Sequence, residues 1–365
     1  MKAELKRKLR KVRGVLAANE AEAALFGLGA NFSWLSCGGE ANVPIATDRS
    51  FGHFLVTDDE IFLLANRIEM PRLQAEVVNG LGATPLEYDW FDNSGLKKLK
   101  KVVNPRKVLS DCGDFGTRNR ADLFHPLHHS LGTEEVTRFK SLGRVAEKAM
   151  RETCLELKPG MTEFQIAGLL SENVMAQQAT AVVMLIGADE RAYKFRHPKP
   201  THKKLKRQVM VVLSARRNGL IVSTTRMVHF GAIPRELREK HDAVCVVDSA
   251  FHLNTRVGTP IREVFRRGVD TYREMGFADE WHRHHQGGPS GYQGRNLIAS
   301  PTVSGVVLDN QPFAWNPTIA GTKSEDSILA TKDGPVVITA PKKWPLVKVR
   351  WEDDLAWTRP DILER

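Results

Sequence analysis

The first third of the chain alternates between helical and strand-like patterns of apolar residues. From residue 3 to about residue 26, apolar positions recur every three or four residues, which predicts a helix whose buried face carries Leu5, Leu9, Val12 and Leu16. Three short apolar runs predict strands at residues 32–35, 52–56 and 61–64. A helix containing residues 70–78 and a strand near residues 108–110 continue the alternation. Together these elements predict a small α/β domain.

A second set of elements begins after Leu131-Gly132-Thr133. Residues 134–157 have the pattern of one long amphipathic helix that ends at Lys158-Pro159-Gly160, and Thr162 with Gln165 predicts a capping box for the next helix. Further along, a hairpin and two helices are predicted at residues 217–220, 235–255 and 260–275. A chain of 365 residues with 42% hydrophobic residues can form two cores. We therefore expect two domains, residues 1–131 and residues 132–365.

The net charge of +10 raises the question of a nucleic-acid partner. The basic clusters are separate in sequence and are not interleaved with the aromatic residues on which single-stranded nucleic acid stacks; they lie at residues 6–13, 97–101 and 203–207. They are expected to be solvated faces, although their summed field would attract anionic substrates. The sequence therefore predicts no nucleic-acid partner.

The expected location is the cytoplasm. No run of about 18 apolar residues is present, so no membrane span is predicted. The basic N-terminus is not followed by the apolar core of a signal peptide. The four cysteines have no CxxC spacing and are interpreted as ordinary thiols: Cys37, Cys112, Cys154 and Cys245.

Five segments in the last 170 residues carry the candidate chemistry. In chain order they are Arg196-His197-Pro198, Val209 to Arg226, His284 to Gly288, Asn316-Pro317 and Ser324-Glu325-Asp326. In order and spacing they resemble the active-site segments of the pita-bread family, which includes methionine aminopeptidase, aminopeptidase P, prolidase and creatinase. The resemblance implies an α/β (α+β) fold, with a small creatinase-type N-terminal α/β domain followed by a C-terminal pita-bread domain. It also implies a homodimer.

The same resemblance implies that most of the family's metal ligands are missing. The metal enzymes bind two divalent cations through two aspartates, a histidine and two glutamates, and the matching positions here are Val212, Ser223, His285, Asn316 and Glu325. Because a pair of hard cations needs several carboxylates, we expect neither a metal nor another cofactor. A ligand hidden by a register error is one alternative, but no acidic residue lies within residues 208–226. A mononuclear site built from the histidines of residues 282–285 is another, disfavoured because adjacent histidines do not share a face of a strand.

Three residues are candidates for catalysis. His197 matches the histidine that serves creatinase as a proton shuttle, a role that suits a group with a pKa near neutral. Glu325 would orient water or stabilise an imidazolium, and His285 would donate to a substrate oxygen. The alternatives are that His197 is a structural loop residue and that Glu325 only pairs with Lys323 or Arg226.

The substrate is expected to be a small anion. Three arginines would be left without carboxylates by the loss of the acidic ligands, and arginine prefers planar anions: Arg216, Arg226 and Arg295. Neutral polar groups would complete the substrate site, namely Ser223, Gln286, Tyr292 and Asn316. In creatinase-like dimers the N-terminal domain of one subunit covers the site of the other, which makes Trp34 and Arg67 candidates for a lid. The arginines could equally be satisfied by Glu325, Asp326 or backbone carbonyls.

These observations support a metal-independent hydrolase, or a lyase, that cleaves a C–N or related bond in a small anionic, amino-acid-like substrate with His197 as acid and base. The alternative from a different class is a catalytically silent pita-bread module that binds a peptide, protein or metabolite. A metal-dependent Xaa-Pro aminopeptidase or dipeptidase comes third, because its nucleophile is a metal-bound hydroxide.

Overall fold

The computed structural model describes residues 2–350 and 356–365. The chain divides into two compact units, one formed by Met1–Glu135 with Asn218–Leu220 and the other by Val136–Arg217 with Ile221–Arg365. Within the described residues, no helix combines the length and apolar character needed to cross a membrane.

The first unit is a mixed sheet with short helices. Its helices are α1 (Lys2–Ala18), α2 (Gly29–Leu35), α3 (Met70–Arg72), α4 (Ser94–Lys100) and α5 (Ala121–Phe124), and α3 continues into a π-helical turn, Leu73–Val77. Its strands are β1 (Ala23–Leu28), β2 (Arg49–Thr57), β3 (Ile61–Asn66), β4 (Thr84–Tyr88), β5 (Val108–Ser110) and β6 (Arg118–Asn119). They pair in the order β4-β3-β2-β1-β5-β6. Strand β1 is antiparallel to β2 and parallel to β5, so the predicted α/β domain is present.

Two element predictions in this unit are wrong. The first helix ends at Ala18, and residues 23–26 belong to β1, all of them buried. Residues 32–35 were predicted as a strand but lie in α2, where every residue except Ala30 is buried. A short run that is buried on nearly all sides has no polar face, so its periodicity cannot distinguish a strand from a helix.

The second unit carries the segments with candidate chemistry. Its helices are α6 (Thr133–Glu156), α7 (Glu163–Met175), α8 (Glu190–Lys194), α9 (Arg235–Asn254) and α10 (Ile261–Glu274). Its strands are β7 (Thr180–Ala188), β8 (Gln208–Arg217), β9 (Leu220–His229), β10 (Gly287–Pro289), β11 (Gln311–Trp315), β12 (Thr318–Ile319), β13 (Thr322–Lys323), β14 (Asp326–Thr331), β15 (Gly334–Val337), β16 (Leu346–Arg350), β17 (Ala356–Pro360) and β18 (Leu363–Glu364). The main sheet has the order β10-β11-β14-β9-β8-β7.

Local sequence explains the ends of several of these elements. Thr162 accepts a hydrogen bond from the Gln165 backbone, and the Gln165 side chain accepts from the Thr162 backbone, so the predicted capping box opens α7. Asn218 and Gly219 have φ of 54° and 74°, the left-handed pair that a two-residue turn between β8 and β9 requires.

Helices α9 and α10 pack closely on the strands that support the site. The Phe251 ring stacks on Trp315 with ring centroids 4.6 Å apart, and both side chains are fully buried. An added Cβ on Gly268 of α10 would lie 2.1 Å from the Phe251 ring, so only glycine permits this approach. The packing gives β11 and the segments after it a rigid support.

Candidate active site

A cavity of about 380 Å³ lies against β7 and β8. Register pairs Leu185 with Val212 and Val183 with Ser214, and all four side chains line the apolar side of the cavity. The polar side is lined by His197, His285, Arg295, Asn316, Lys323 and Glu325. The structure thus brings together all three candidate catalytic residues and two of the candidate substrate ligands, Arg295 and Asn316.

A buried ionic group of Lys323, Glu325 and Arg295 forms the base of this cavity. Lys323 Nζ lies 2.7 Å from Glu325 Oε2, and Arg295 lies 3.3 Å from Glu325 Oε1. Thr225 also donates a hydrogen bond to Glu325 Oε2 at 2.7 Å. Burial raises the pKa of Glu325, but Lys323 and Arg295 outweigh it and the net pKa is lowered, so Glu325 stays ionised. Burial lowers the pKa of Lys323 against the opposing effect of Glu325.

Strand alternation explains why Lys323 and Glu325 point into the cavity while their neighbours do not. Ser324 lies between them and donates to Asp248 at 2.6 Å on the other side. Asp326 also faces that side, where Arg359 lies 2.9 Å from its carboxylate. One segment therefore supplies the charges of the site and the buried ion pairs that hold it in place.

His197 and His285 line this cavity, and together with His284 they form a histidine cluster. His197 follows α8, and the other two lie between the 3-10 turn Glu280–Arg283 and β10. The Nε2 atoms of His197 and His284 are 3.1 Å apart, and the ring centroids of His284 and His285 are 4.7 Å apart. The expectation that adjacent histidines would not share a site is wrong, because this segment is not a regular strand.

All three imidazoles are neutral at physiological pH. Burial, followed by the charge of Lys323, lowers the pKa of His284 to about 2. Burial and Arg295 lower the pKa of His285 to about 4, and burial and Lys323 lower that of His197. Each imidazole therefore has one nitrogen that can accept a proton and one that can donate.

A second cavity, of about 510 Å³, shares His197 and His285 with the first. Its other walls include Trp281, Phe265, Arg196 and Ala299. Arg196 forms an ion pair with Glu280 at its edge. The two histidines thus face both a charged cavity and a more aromatic one.

Gln286 has a supporting position. It is fully buried and lines the second cavity, but its side chain donates to the backbone carbonyls of Trp281 and His284. Tyr272 donates to Gln286 Oε1 at 2.9 Å. These bonds fix the backbone that carries the histidines, so Gln286 is a positioning residue and its amide is already used.

Several predicted substrate ligands are placed elsewhere. Arg226 is buried and bonded to Asp326 at 3.0 Å and to backbone carbonyls, so it is satisfied behind the site. Ser223 lies behind Ser214, with their hydroxyl oxygens 2.9 Å apart. Arg216 and the buried Tyr292 are absent from the described walls of both cavities.

The two lid candidates belong to the first unit. Trp34 is only 1% exposed and packs under Lys8, whose Nζ lies 5.6 Å from the ring centroid. The prediction that Trp34 covers a neighbouring site is wrong, since the side chain is already in the core of its own unit. Arg67 is on the surface beside Glu87 and Asp89, and its role in a dimer stays a prediction.

Sequence reasoning missed Lys323 and Ser214 as members of the site and weighed His284 only within the disfavoured run of histidines at residues 282–285. Lys323 had a visible signal, because a residue two positions from Glu325 in an extended segment shares its face. Ser214 had a similar signal, two residues from Val212. His284 was disfavoured by strand geometry, but the structure brings it near His197 because the backbone there is irregular.

Fold and site together define a two-unit α/β protein with the pita-bread arrangement and a polar cavity in its second unit. Residues 137–359 match the model of metallopeptidase family M24, and the chain belongs to that family, whose members are peptidase-like hydrolases. It is 21% identical over 358 residues to an uncharacterised peptidase of Staphylococcus epidermidis, covering 92% of this chain and 99% of that protein.

Solved structures confirm the predicted fold. Prolidase from Pyrococcus horikoshii has a TM-score of 0.78 at 16% identity and covers 92% of this chain and 99% of its own. The N-terminal domain of the FACT complex subunit SPT16 from chickpea has a TM-score of 0.72 at 12% identity, covering 94% and 97%.

The residues present do not fit the pair of metal ions implied by the family name. Val212 offers no donor atom, and Ser223 and Asn316 offer neutral oxygens in place of carboxylates. The remaining carboxylate, Glu325, is bonded to Lys323, Arg295 and Thr225. Glu325 is the only carboxylate among these matched positions, and the buried ammonium group of Lys323 beside it repels a pair of divalent cations.

Proposed function

We propose that this M24 protein is a hydrolase that cleaves a C–N or related bond of a small anionic, amino-acid-like substrate without the dinuclear metal centre. The observation that carries the proposal is the pairing of neutral histidines with a buried cationic group in one cavity, where the family places its metal ligands. Both the histidines and the cationic group are side chains of this chain.

His197 is the proposed acid and base. It faces both cavities, and its lowered pKa favours the neutral imidazole at pH 7, the form that can accept a proton. It would take a proton from the attacking water and return that proton to the leaving nitrogen. The 3.1 Å contact with His284 Nε2 orients the ring.

The cationic group is the proposed binding site for the negative charge of the substrate. Arg295 lines the cavity, and its Nε is buried without a hydrogen-bond partner. Lys323 Nζ lies on the same wall, so a carboxylate or a developing oxyanion there would meet two positive charges and one negative charge. His285 would add a neutral hydrogen bond, and the Asn316 Oδ1 atom, which is buried without a partner, could accept a hydrogen bond from an N–H group of the substrate.

The test is amine release from a panel of N-acyl amino acids, ureido acids and dipeptides, including Xaa-Pro dipeptides, with chelator-treated protein. We expect turnover of at least one anionic amide, and His197→Gln should lower kcat by about 10²-fold or more while substrate still binds. His202→Gln is the matched control, because His202 is exposed and makes only an edge-to-face contact with Phe164, away from both cavities.

Three results would contradict the proposal. Activity that appears only after divalent metal is restored would identify a metal-dependent peptidase. Binding of the panel without turnover would identify a silent binding module. An unchanged rate in His197→Gln would remove this residue from the mechanism.

A further inference from the structure

We propose that His197, His284 and His285 form a mononuclear site for a borderline transition-metal ion such as Zn²⁺, and that the bound ion inhibits the enzyme. This site uses only one of the five ligand positions of the dinuclear centre, His285. The inhibitory part rests on the proposed role of His197, whereas the binding part does not.

Geometry is the first argument. The ligand nitrogens of the three histidines all lie within 4.8 Å of one another, and the His197 and His284 Nε2 atoms are 3.1 Å apart. Two nitrogens on a tetrahedral Zn²⁺ with Zn–N bonds of about 2.0–2.1 Å are about 3.3 Å apart. One pair thus already has nearly the required spacing, and the third ligand nitrogen must move closer to both.

The state of the rings is the second argument. Metal coordination requires a neutral imidazole, which is the main form of an ordinary histidine side chain at pH 7. The Nδ1 atoms of His284 and His285 are buried without hydrogen-bond partners, so these rings are not committed to other contacts through those atoms. Three imidazoles are a donor set that suits zinc, copper and nickel.

Rigid support is the third argument. Gln286 donates to the His284 carbonyl and accepts from Tyr272, which holds the peptide between the two ligands. Second-sphere contacts of this kind increase metal affinity by restricting the ligands. The cavities on either side leave room for a water molecule at a fourth position.

The charged neighbours affect both affinity and selectivity. The positive charges of Lys323 and Arg295 oppose any cation, so binding depends on the three nitrogen donors. Glu325 is occupied by Lys323 and Arg295, so the site offers nitrogen donors and no free carboxylate. Mg²⁺ and Mn²⁺ prefer oxygen ligands and should not bind. A bound ion would take the lone pair with which His197 accepts a proton, and the enzyme would stop until the ion left.

Isothermal titration of chelator-treated full-length protein with Zn²⁺, supported by metal analysis after gel filtration, tests the site. We expect one tightly bound Zn²⁺ per chain that depends on the histidine cluster, no binding of Mg²⁺, and at least about tenfold weaker binding in His284→Ala. His202→Ala is the matched control and should bind like the parent protein.

A second cluster, His53, Cys112 and Asp114 in the first unit, provides a further control. Zinc binding that is lost in His53→Ala and kept in His284→Ala would overturn the proposal, as would binding of Mg²⁺ equal to that of Zn²⁺. Circular dichroism must show that each variant is folded. If His284→Ala is not, His197→Ala replaces it, because His197 is exposed.

The activity assay separates this inference from the proposed function. Turnover by metal-free protein with loss of activity at one equivalent of Zn²⁺ supports both. Turnover without zinc binding at the cluster overturns only the metal site. Activation by one equivalent of Zn²⁺ keeps the binding site but overturns its inhibitory role and the metal-independent mechanism.

Discussion

Replacing Glu325 by Gln removes the only negative charge from the buried ionic group. Lys323 and Glu325 are 3% and 2% exposed and are joined at 2.7 Å. In Glu325→Gln, Lys323 and Arg295 would face each other without a counter-charge. Breaking a buried ion pair by removing one partner costs about 3–5 kcal/mol, and we expect a loss in this range.

Lys323→Met should cost less, because Glu325 would keep Arg295 at 3.3 Å and the Thr225 hydrogen bond. The double variant removes both charges of the pair, so its loss should be smaller than the sum of the single losses by about 1–3 kcal/mol. Urea unfolding of the full chain, followed by fluorescence and circular dichroism, measures these free energies. The exposed pair of Lys203 and Glu190, 2.8 Å apart, is the control and should show little coupling.

The pH dependence of Glu325→Gln provides an independent test. Burial already lowers the pKa of Lys323, and removal of Glu325 would lower it further. Above that depressed pKa the unfolded chain binds more protons than the folded chain, so stability of the variant should rise with pH until the unfolded lysine titrates near pH 10.4. The reasoning would be refuted if the losses of the two single variants added up to that of the double variant within about 0.5 kcal/mol, and if the stability of Glu325→Gln had the same pH dependence as that of the parent protein.

Two further predictions concern packing and the folded-state charge of a histidine. Gly268→Ala should lower the melting temperature, because its Cβ would overlap the Phe251 ring. Gly168→Ala in α7 is the comparison: nothing lies within 4 Å of its Cβ, so it should stabilise the protein by about 0.5–1 kcal/mol. Equal effects of the two variants in thermal unfolding would contradict this prediction. His252 is fully buried, and its pKa lies well below the usual value because of burial and, to a lesser extent, the charge of Arg359. As the pH falls below 6.5, the unfolded chain takes up a proton that the folded chain does not, so the protein should lose up to about 1.4 kcal/mol of stability per pH unit. His252→Gln should flatten the stability curve between pH 7 and pH 5, and an unchanged slope would contradict a neutral buried imidazole.

Regular elements were predictable where a polar face or a cap marks them. The helix at 235–254, the strands at 49–57 and 61–66 and the capping box of Thr162 and Gln165 all lie where the pattern indicates. The helix at residues 29–35 was not predictable, because its nearly complete burial removes the polar face that reveals a helix. The resemblance identified the segments of the site, and the structure places His197, His285, Asn316 and Glu325 around one cavity.

The partners of each charge could not be predicted, because they depend on contacts distant in sequence. Arg226 and Arg295 were equivalent candidates for an anionic substrate. The fold gives Arg226 the carboxylate of Asp326, 100 residues away, and leaves Arg295 beside the cavity with Glu325. In an extended segment alternate side chains point to opposite faces, so Glu325 and Asp326 face opposite sides. Had the partner strands been known, this rule would have shown that Arg226 and Arg295 lie on different sides of the segment.

If the acidic ligands have been lost, as the resemblance implies, charge balance accounts for the presence of Lys323 beside Glu325. A dinuclear centre balances two divalent cations against several carboxylates, and removal of the cations alone would leave those carboxylates repelling one another. The resemblance matches three carboxylate positions to Val212, Ser223 and Asn316, and the remaining carboxylate, Glu325, is paired with Lys323. Arg295 then leaves one net positive charge in the cavity. With this charge the proposed metal-independent site would favour an anionic ligand, and we expect that restoring the carboxylates without replacing Lys323 would not restore a dinuclear centre.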